Sequence, residues 1–119
     1  MEWKTSWLEK TDDEDALKKQ LQSEGFDTSQ WSGRPGGKYL NCINVCADAF
    51  KAFDEVLCVL SGTAEVKVNG EKDTVHRGDR IDVPAHIYRS LTVTSTEPLV
   101  VLTGIRLNNL SCYLQGFNQ

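Results

Sequence analysis

Residues 55–89 read EVLCVLSGTAEVKVNGEKDTVHRGDRIDVPAHIYR. Within this stretch Ala64, Val66 and Val68 alternate with Glu65 and Lys67. A period of two sends successive side chains to opposite faces, so the segment reads as a strand with one buried face. Asn69-Gly70 follows, two residues that tolerate the positive φ angles of a type I′ turn, and Glu71 to Val75 returns as the second arm of a hairpin. Upstream, Glu55 to Ser61 is an apolar run closed by Gly62; downstream, Gly78 and Pro84 bracket a strand at Arg80 to Val83. Working outward, the same punctuation by Gly and Pro predicts strands at Tyr39 to Val45, Ile87 to Thr94 and Leu99 to Arg106. About seven to nine strands in roughly 90 residues is the pattern of a sandwich or barrel, in which closure or stacking buries one face of each strand.

The first 30 residues differ in character. Thr11-Asp12-Asp13-Glu14 has the form of a capping box and predicts a helix from Asp12 to Glu24. Its apolar stripe is Ala16, Leu17, Gln20 and Leu21, and Gly25 supplies a left-handed stop. At about three turns the helix is marginal alone and must dock on the β body. Trp31 continues the chain as a strand after the helix. Trp3 and Trp7 either cover an open edge or mouth of the barrel or pack against a second subunit. The organisation expected is one domain, with a helical leader over residues 1–30 and a β-barrel over 31–119.

Charge and cysteines narrow the function classes. The chain has 119 residues and a net charge of −4; residues 1–30 hold eight acids and four bases, and the remainder balances at nine of each. A neutral body with an acidic leader lacks the basic stripe that phosphate backbones or anionic membranes require, so neither nucleic acid nor membrane is an expected partner. No apolar run is long enough to span a bilayer, and the charged N-terminus does not resemble a signal peptide, which predicts a cytoplasmic protein with reduced thiols. Cys58, in the run Val56 to Leu60, reads as a core residue. Cys42 and Cys46 lie four apart without a second pair at ligand spacing, and Cys112 stands alone, so a zinc site is only weakly indicated.

Two blocks carry a family resemblance. Glu55 and Gly62 match E-x6-G, and Gly78, Pro84 and His86 match G-x5-P-x-G/H within Gly78 to Arg89. This resembles the paired blocks of the cupin superfamily, over roughly residues 31–106. The resemblance implies an all-β, double-stranded β-helix (a jelly-roll or cupin barrel) with a short N-terminal α-helix. Cupins commonly dimerise through N-terminal strands, which implies a homodimer; exposed strand edges point the same way.

In that family a divalent metal is usually held by an H-x-H pair, the first-block glutamate and a final second-block histidine. Counting back from Glu55, the H-x-H positions fall on Ala49 and Lys51, or on Asp48 and Phe50, and the final histidine position is Arg89. The stretch Tyr39 to Asp54 is also several residues longer than is usual there. Of the four expected ligands only Glu55 remains. A guanidinium has no lone pair to offer and a lysine must first lose a proton, so no metal and no cofactor is expected. A rebuilt set of Cys42, Cys46, Glu55 and His86 is chemically conceivable. His86 occupies a slot that cupins fill with glycine or histidine without using it as a ligand, and His76 reads as a solvated loop residue.

If Lys51 and Arg89 face inward with Glu55, either Glu55 bridges to Arg89 as a plug in place of the metal, or the surplus positive charge receives a carboxylate or phosphate. The leading expectation is a metal-free cupin domain binding a small anionic or sugar-like ligand in the barrel, with Lys51, Glu55 and Arg89 as ligand-binding residues. The alternative is a metal-independent isomerase, epimerase or lyase in which His86 or Tyr88 exchanges a proton and Arg89 holds the substrate. A metal-dependent dioxygenase with an unusual ligand set is disfavoured by the missing histidines.

Overall fold

The computed structural model describes residues 3–8, 13–40 and 53–107. The elements in chain order are β1 (Lys4–Ser6), α1 (Glu14–Ser23), β2 (Asp27–Gly33), β3 (Lys38–Leu40), β4 (Phe53–Ser61), β5 (Ala64–Val68), β6 (Glu71–Val75), β7 (Asp79–Val83), β8 (Arg89–Val93) and β9 (Leu99–Leu107). They form two antiparallel sheets, a five-stranded one in the order β1-β7-β4-β9-β2 and a four-stranded one in the order β3-β8-β5-β6. Over the described residues the protein is all-β with one short helix, and the strand punctuation predicts the β body.

The β5–β6 hairpin is in the expected register, Val68 opposite Glu71, with Asn69 and Gly70 at φ 49° and 85° as a type I′ turn requires. Gly62 has a φ of 84°, and a Cβ there would meet the Pro98 carbonyl at 2.8 Å, so both conformation and space call for glycine. The strand expected at Tyr39 to Val45 is seen at Lys38–Leu40, and the rest of the expected span, residues 41–45, lies outside the described residues. The strand expected from Ile87 begins instead at Arg89, because Pro84 to Ile87 closes a turn through an Ile87 N–H to Pro84 carbonyl bond of 3.2 Å. β1 was not expected; its three residues become a strand only by pairing with Asp79, Arg80 and Ile81.

Between the sheets the space is filled by apolar side chains. Leu57 and Val59 of β4, Val66 and Val68 of β5, Ile81 and Val83 of β7, Leu91 and Val93 of β8 and Val101 of β9 are all buried there. Trp3 joins this cluster at 8% exposure, so it covers the open edge of the barrel from within its own chain. Trp7 is likewise buried, against the helix. The alternative in which these rings pack on a second subunit is corrected by that burial, which leaves little ring surface for a partner.

Strand alternation gives β4 a second apolar face. Val56 and Cys58 point away from the barrel and, with Leu102, receive Leu17, Leu21 and Phe26. Burying each leucine contributes about 1.5–3 kcal/mol, enough to hold a helix this short. The helix begins later than expected, with Asp13 as its cap: the Asp13 carboxylate accepts from the Asp15 amide at 3.0 Å, filling the role assigned to Thr11, which lies outside the described residues. It ends as expected at Gly25 (φ 94°), with the Phe26 N–H donating to the Leu21 carbonyl and the Gly25 N–H to the Gln22 carbonyl. No helix among the described residues is long and apolar enough to cross a membrane.

The helix C-terminus is clamped to the outer face of the sheet. Arg80 donates to both Glu24 carboxylate oxygens at 2.7 and 3.0 Å, and Arg106 donates to the Glu24 carbonyl at 2.7 Å while its guanidinium lies 4.3 Å over the Phe26 ring. The hydrogen bonds from Arg80 hold the Glu24 carboxyl below its ordinary value of 4.5. A depressed folded-state pKa gives stability that is present above the unfolded value and lost as pH falls through the folded one. Urea melts across pH 3–7 should show Glu24→Gln less stable than the parent at neutral pH, with the gap closing below about pH 4.5. A gap that is constant with pH would mean the charge on Glu24 does not matter.

Candidate functional site

β4 and β8 lie in different sheets and face each other across the barrel. Glu55 shares its face of β4 with Leu57 and Val59, and Arg89 shares its face of β8 with Leu91 and Val93, so both side chains point inward at one end of the apolar core. They meet as a two-pronged pair: Arg89 Nε donates to Glu55 Oε1 at 3.0 Å and Nη2 donates to Oε2 at 3.3 Å. Each side chain is only 11% exposed. Removing two such ions from water is costly, and matched fork geometry is the arrangement that offsets the cost.

Next to this pair, the segment after β7 turns back over the barrel end. Pro84 to Ile87 is the turn, His86 occupies its third position with φ 70°, and the Ala85 N–H donates to Asp54 Oδ1 at 2.8 Å. The other Asp54 oxygen accepts from Arg106 Nη2 at 3.0 Å. Asp54 thus pins the turn from the outer face of β4 while its neighbour Glu55 points inward. A positive φ at this position explains why glycine or histidine suits the slot: glycine takes it freely, and histidine is among the side chains that visit it more often than most. His86 and Tyr88 are both exposed.

His86, Tyr88 and Arg89 line one cavity of about 410 Å³. Leu40, Lys67, Asn69 and Ser90 complete most of its described wall, and none of the described residues lining it carries a carboxylate. The register places Leu40 opposite Ser90 and Ser90 opposite Lys67, so these three come from adjacent strands on the outer face of the four-stranded sheet. The space is therefore at the rim of the barrel, whose middle is packed with Val66, Leu91 and their neighbours. Sequence reasoning missed Lys67, which reads as an ordinary solvated residue of an alternating strand, and Asp54 and Arg106, whose partnership spans 52 positions.

Of the other residues singled out, Lys51, Cys42, Cys46 and Cys112 lie outside the described residues, as do the positions aligned with an H-x-H pair. Cys58 is buried, and loss of solvation pushes its thiol up to about 12, as befits a core residue. His76 is exposed, with Nδ1 3.2 Å from Asp79. Among the described residues the donors do not suit a divalent metal: both Glu55 oxygens accept from Arg89, which offers no lone pair, and no group of three His, Cys, Asp or Glu side chains comes together.

A double-mutant cycle by urea denaturation tests the pair. Arg89→Met strands the Glu55 carboxylate in a poorly solvated place and should cost about 3 kcal/mol or more, while Arg89→Met combined with Glu55→Leu should recover most of the loss. A single-variant cost within about 0.5 kcal/mol of zero would mean that the pair is solvated like a surface ion pair.

The family model described as a cupin domain matches residues 52–105, which hold β4 to most of β9. No curated protein matches the sequence. Among solved structures, the cupin domain of Schizosaccharomyces pombe Cnp3 is similar at TM-score 0.64 and 18% identity, over 77% of this chain and 63% of that one, a little under two thirds of its length. The plu4264 protein of Photorhabdus luminescens gives TM-score 0.60 at 21% identity, over 79% and 73% of the two chains. A predicted oxalate decarboxylase of Thermotoga maritima gives 0.59 at 19%, over 75% and 73%. At such identities the structures speak for the fold alone: the chain has a cupin fold, and the cupin-domain model matches its part from β4 to most of β9.

Proposed function

We propose that the chain is a metal-free cupin that binds a small anionic or sugar-like molecule at the rim of the barrel. The observation that carries this reading is the 410 Å³ cavity whose described lining includes Lys67, His86 and Arg89 and no acidic residue. The charge of Arg89 is balanced by Glu55, so the Lys67 ammonium supplies the net attraction, and the Ser90 hydroxyl and the Asn69 amide add directional hydrogen bonds. Tyr88 and Leu40, exposed at 47% and 59%, give the apolar surface that a ring or carbon chain can cover. The volume is in the range of small-molecule sites, roughly 300–1,000 Å³. Glu55 and Arg89, at two of the positions that align with the family's metal ligands, are bonded to each other, which supports the metal-free part of the reading.

The enzyme reading has one observation in its favour. His86 is held at φ 70° in a turn pinned by Asp54, and non-glycine residues in that region cluster at functional positions. In this version His86 or Tyr88 moves the proton and Lys67 and Arg89 hold the substrate's negative group.

Thermal-shift screening against dicarboxylates and sugar phosphates separates these outcomes. A ligand at about a hundredfold excess over Kd should stabilise the protein by about 2.7 kcal/mol. Lys67→Ala should weaken it about tenfold, and added salt should weaken it further. No stabilisation by any anion, or equal stabilisation of Lys67→Ala, would overturn the binding reading. Turnover of the ligand that disappears in a folded His86→Gly variant would establish the enzyme.

A further inference from the structure

Asn69-Gly70 is the only Asn-Gly pair in the chain, and it forms the exposed tip of the β5–β6 hairpin. A backbone nitrogen attacks the side chain before it most readily in this pair, because glycine has no Cβ to crowd the nitrogen. The surroundings leave the reacting groups open. A Cβ added at Gly70 would meet nothing within 4 Å. The pairing that closes the turn is between Val68 and Glu71, so the Gly70 N–H is not part of the ladder, and no hydrogen bond among the described residues holds the Asn69 side chain.

Asn69 also stands between two spaces. One is the rim cavity, which it lines together with Lys67. The other, of about 690 Å³, is at the seam where the free edges of the two sheets, β1 and β6, approach each other, and Glu71 and Asp82 line it beside Asn69. Lys4 joins the two edges through its bond to Asp73 at 3.2 Å. A charge placed on Asn69 therefore acts directly on Lys67, whose ammonium supplies the net attraction of the rim.

We propose that Asn69 is a site of spontaneous deamidation, through which the rim loses its attraction for anions as the chain ages; this consequence at the rim rests on the binding reading above. The Gly70 amide nitrogen bonds to the side-chain carbonyl carbon of Asn69, gives up its proton to water and expels ammonia, leaving a succinimide ring. Water then opens the ring at one carbonyl to give aspartate, or at the other to give isoaspartate, in which the backbone runs through the former side chain. Nothing is oxidised or reduced. Both products carry a carboxylate where a neutral amide stood, so the charge of Lys67 is offset and a hydrogen-bond donor is replaced by a group that only accepts. Aspartate tolerates the φ of 49° and keeps the turn. Isoaspartate adds a methylene to a loop whose length keeps Val68 opposite Glu71, so it disturbs the register as well.

The test keeps the full chain warm at mildly alkaline pH for days and follows it by mass spectrometry of proteolytic peptides, alongside Asn69→Gly, which suits a turn of two positive φ angles and has no amide to lose. The peptide holding residues 69 and 70 should gain one mass unit, and the same peptide of the variant should not. Fresh chain, fully aged chain and Asn69→Asp are then titrated with inorganic phosphate; the aged chain and Asn69→Asp should both bind about tenfold more weakly than the fresh chain, and ageing should leave Asn69→Gly unchanged. A peptide that keeps its mass would overturn the modification. A mass gain with undiminished phosphate affinity in Asn69→Asp would overturn its effect at the rim. Phosphate that does not bind even the fresh chain would overturn the binding reading and that effect with it, while the mass change decides the modification independently.

Discussion

A carboxylate and a guanidinium facing each other across the end of an apolar barrel cannot be parted without leaving one of them poorly solvated. Glu55 and Arg89 stand in that relation, joined by two hydrogen bonds from opposite sheets. The pair fixes how the ends of β4 and β8 are spaced, closes the apolar layer formed by Leu57, Val59, Leu91 and Val93, and brings the start of β8 to the rim where Tyr88 and His86 emerge. It also leaves each Glu55 carboxylate oxygen accepting a hydrogen bond from the guanidinium.

The outer face of β4 does complementary work. Asp54, one residue before Glu55, points the other way and pins the Pro84 to Ile87 turn through the Ala85 amide, while Arg106 links Asp54 to the end of the helix. A single strand therefore anchors the rim from both faces, and the helix clamp of Arg80 and Glu24 continues the same line of charge. Rigid support of this kind lets an exposed turn hold its side chains at fixed positions.

The parts of the fold that were legible in the sequence are those governed by local rules. Strict alternation with Asn69-Gly70 specified the hairpin, and Gly25 specified the helix end. The inward direction of Arg89 follows from counting by two back from Leu91 and Val93. What could not be read depends on distant partners. β1 has only three residues and no alternation, and exists because β7 offers it an edge. Lys67 looks like any exposed strand residue until Ser90 and the turn at His86 are brought beside it. Valine and leucine side chains from both sheets fill the middle of the barrel, so among the described residues the larger cavities lie at the rim and at the edge seam. Lys51 and the H-x-H register fall outside the described residues, so their part of the sequence argument stands as an expectation.

The central claim is that a guanidinium holds the place a cation would take beside Glu55. The Arg89 Nε–H signal, followed by NMR while manganese(II) is added, reports on it most directly. A slowly exchanging Nε–H that keeps its position and width as the metal is added is the predicted result. Selective loss of the Arg89 and Glu55 signals at substoichiometric manganese would show a metal displacing the arginine, and would contradict the account.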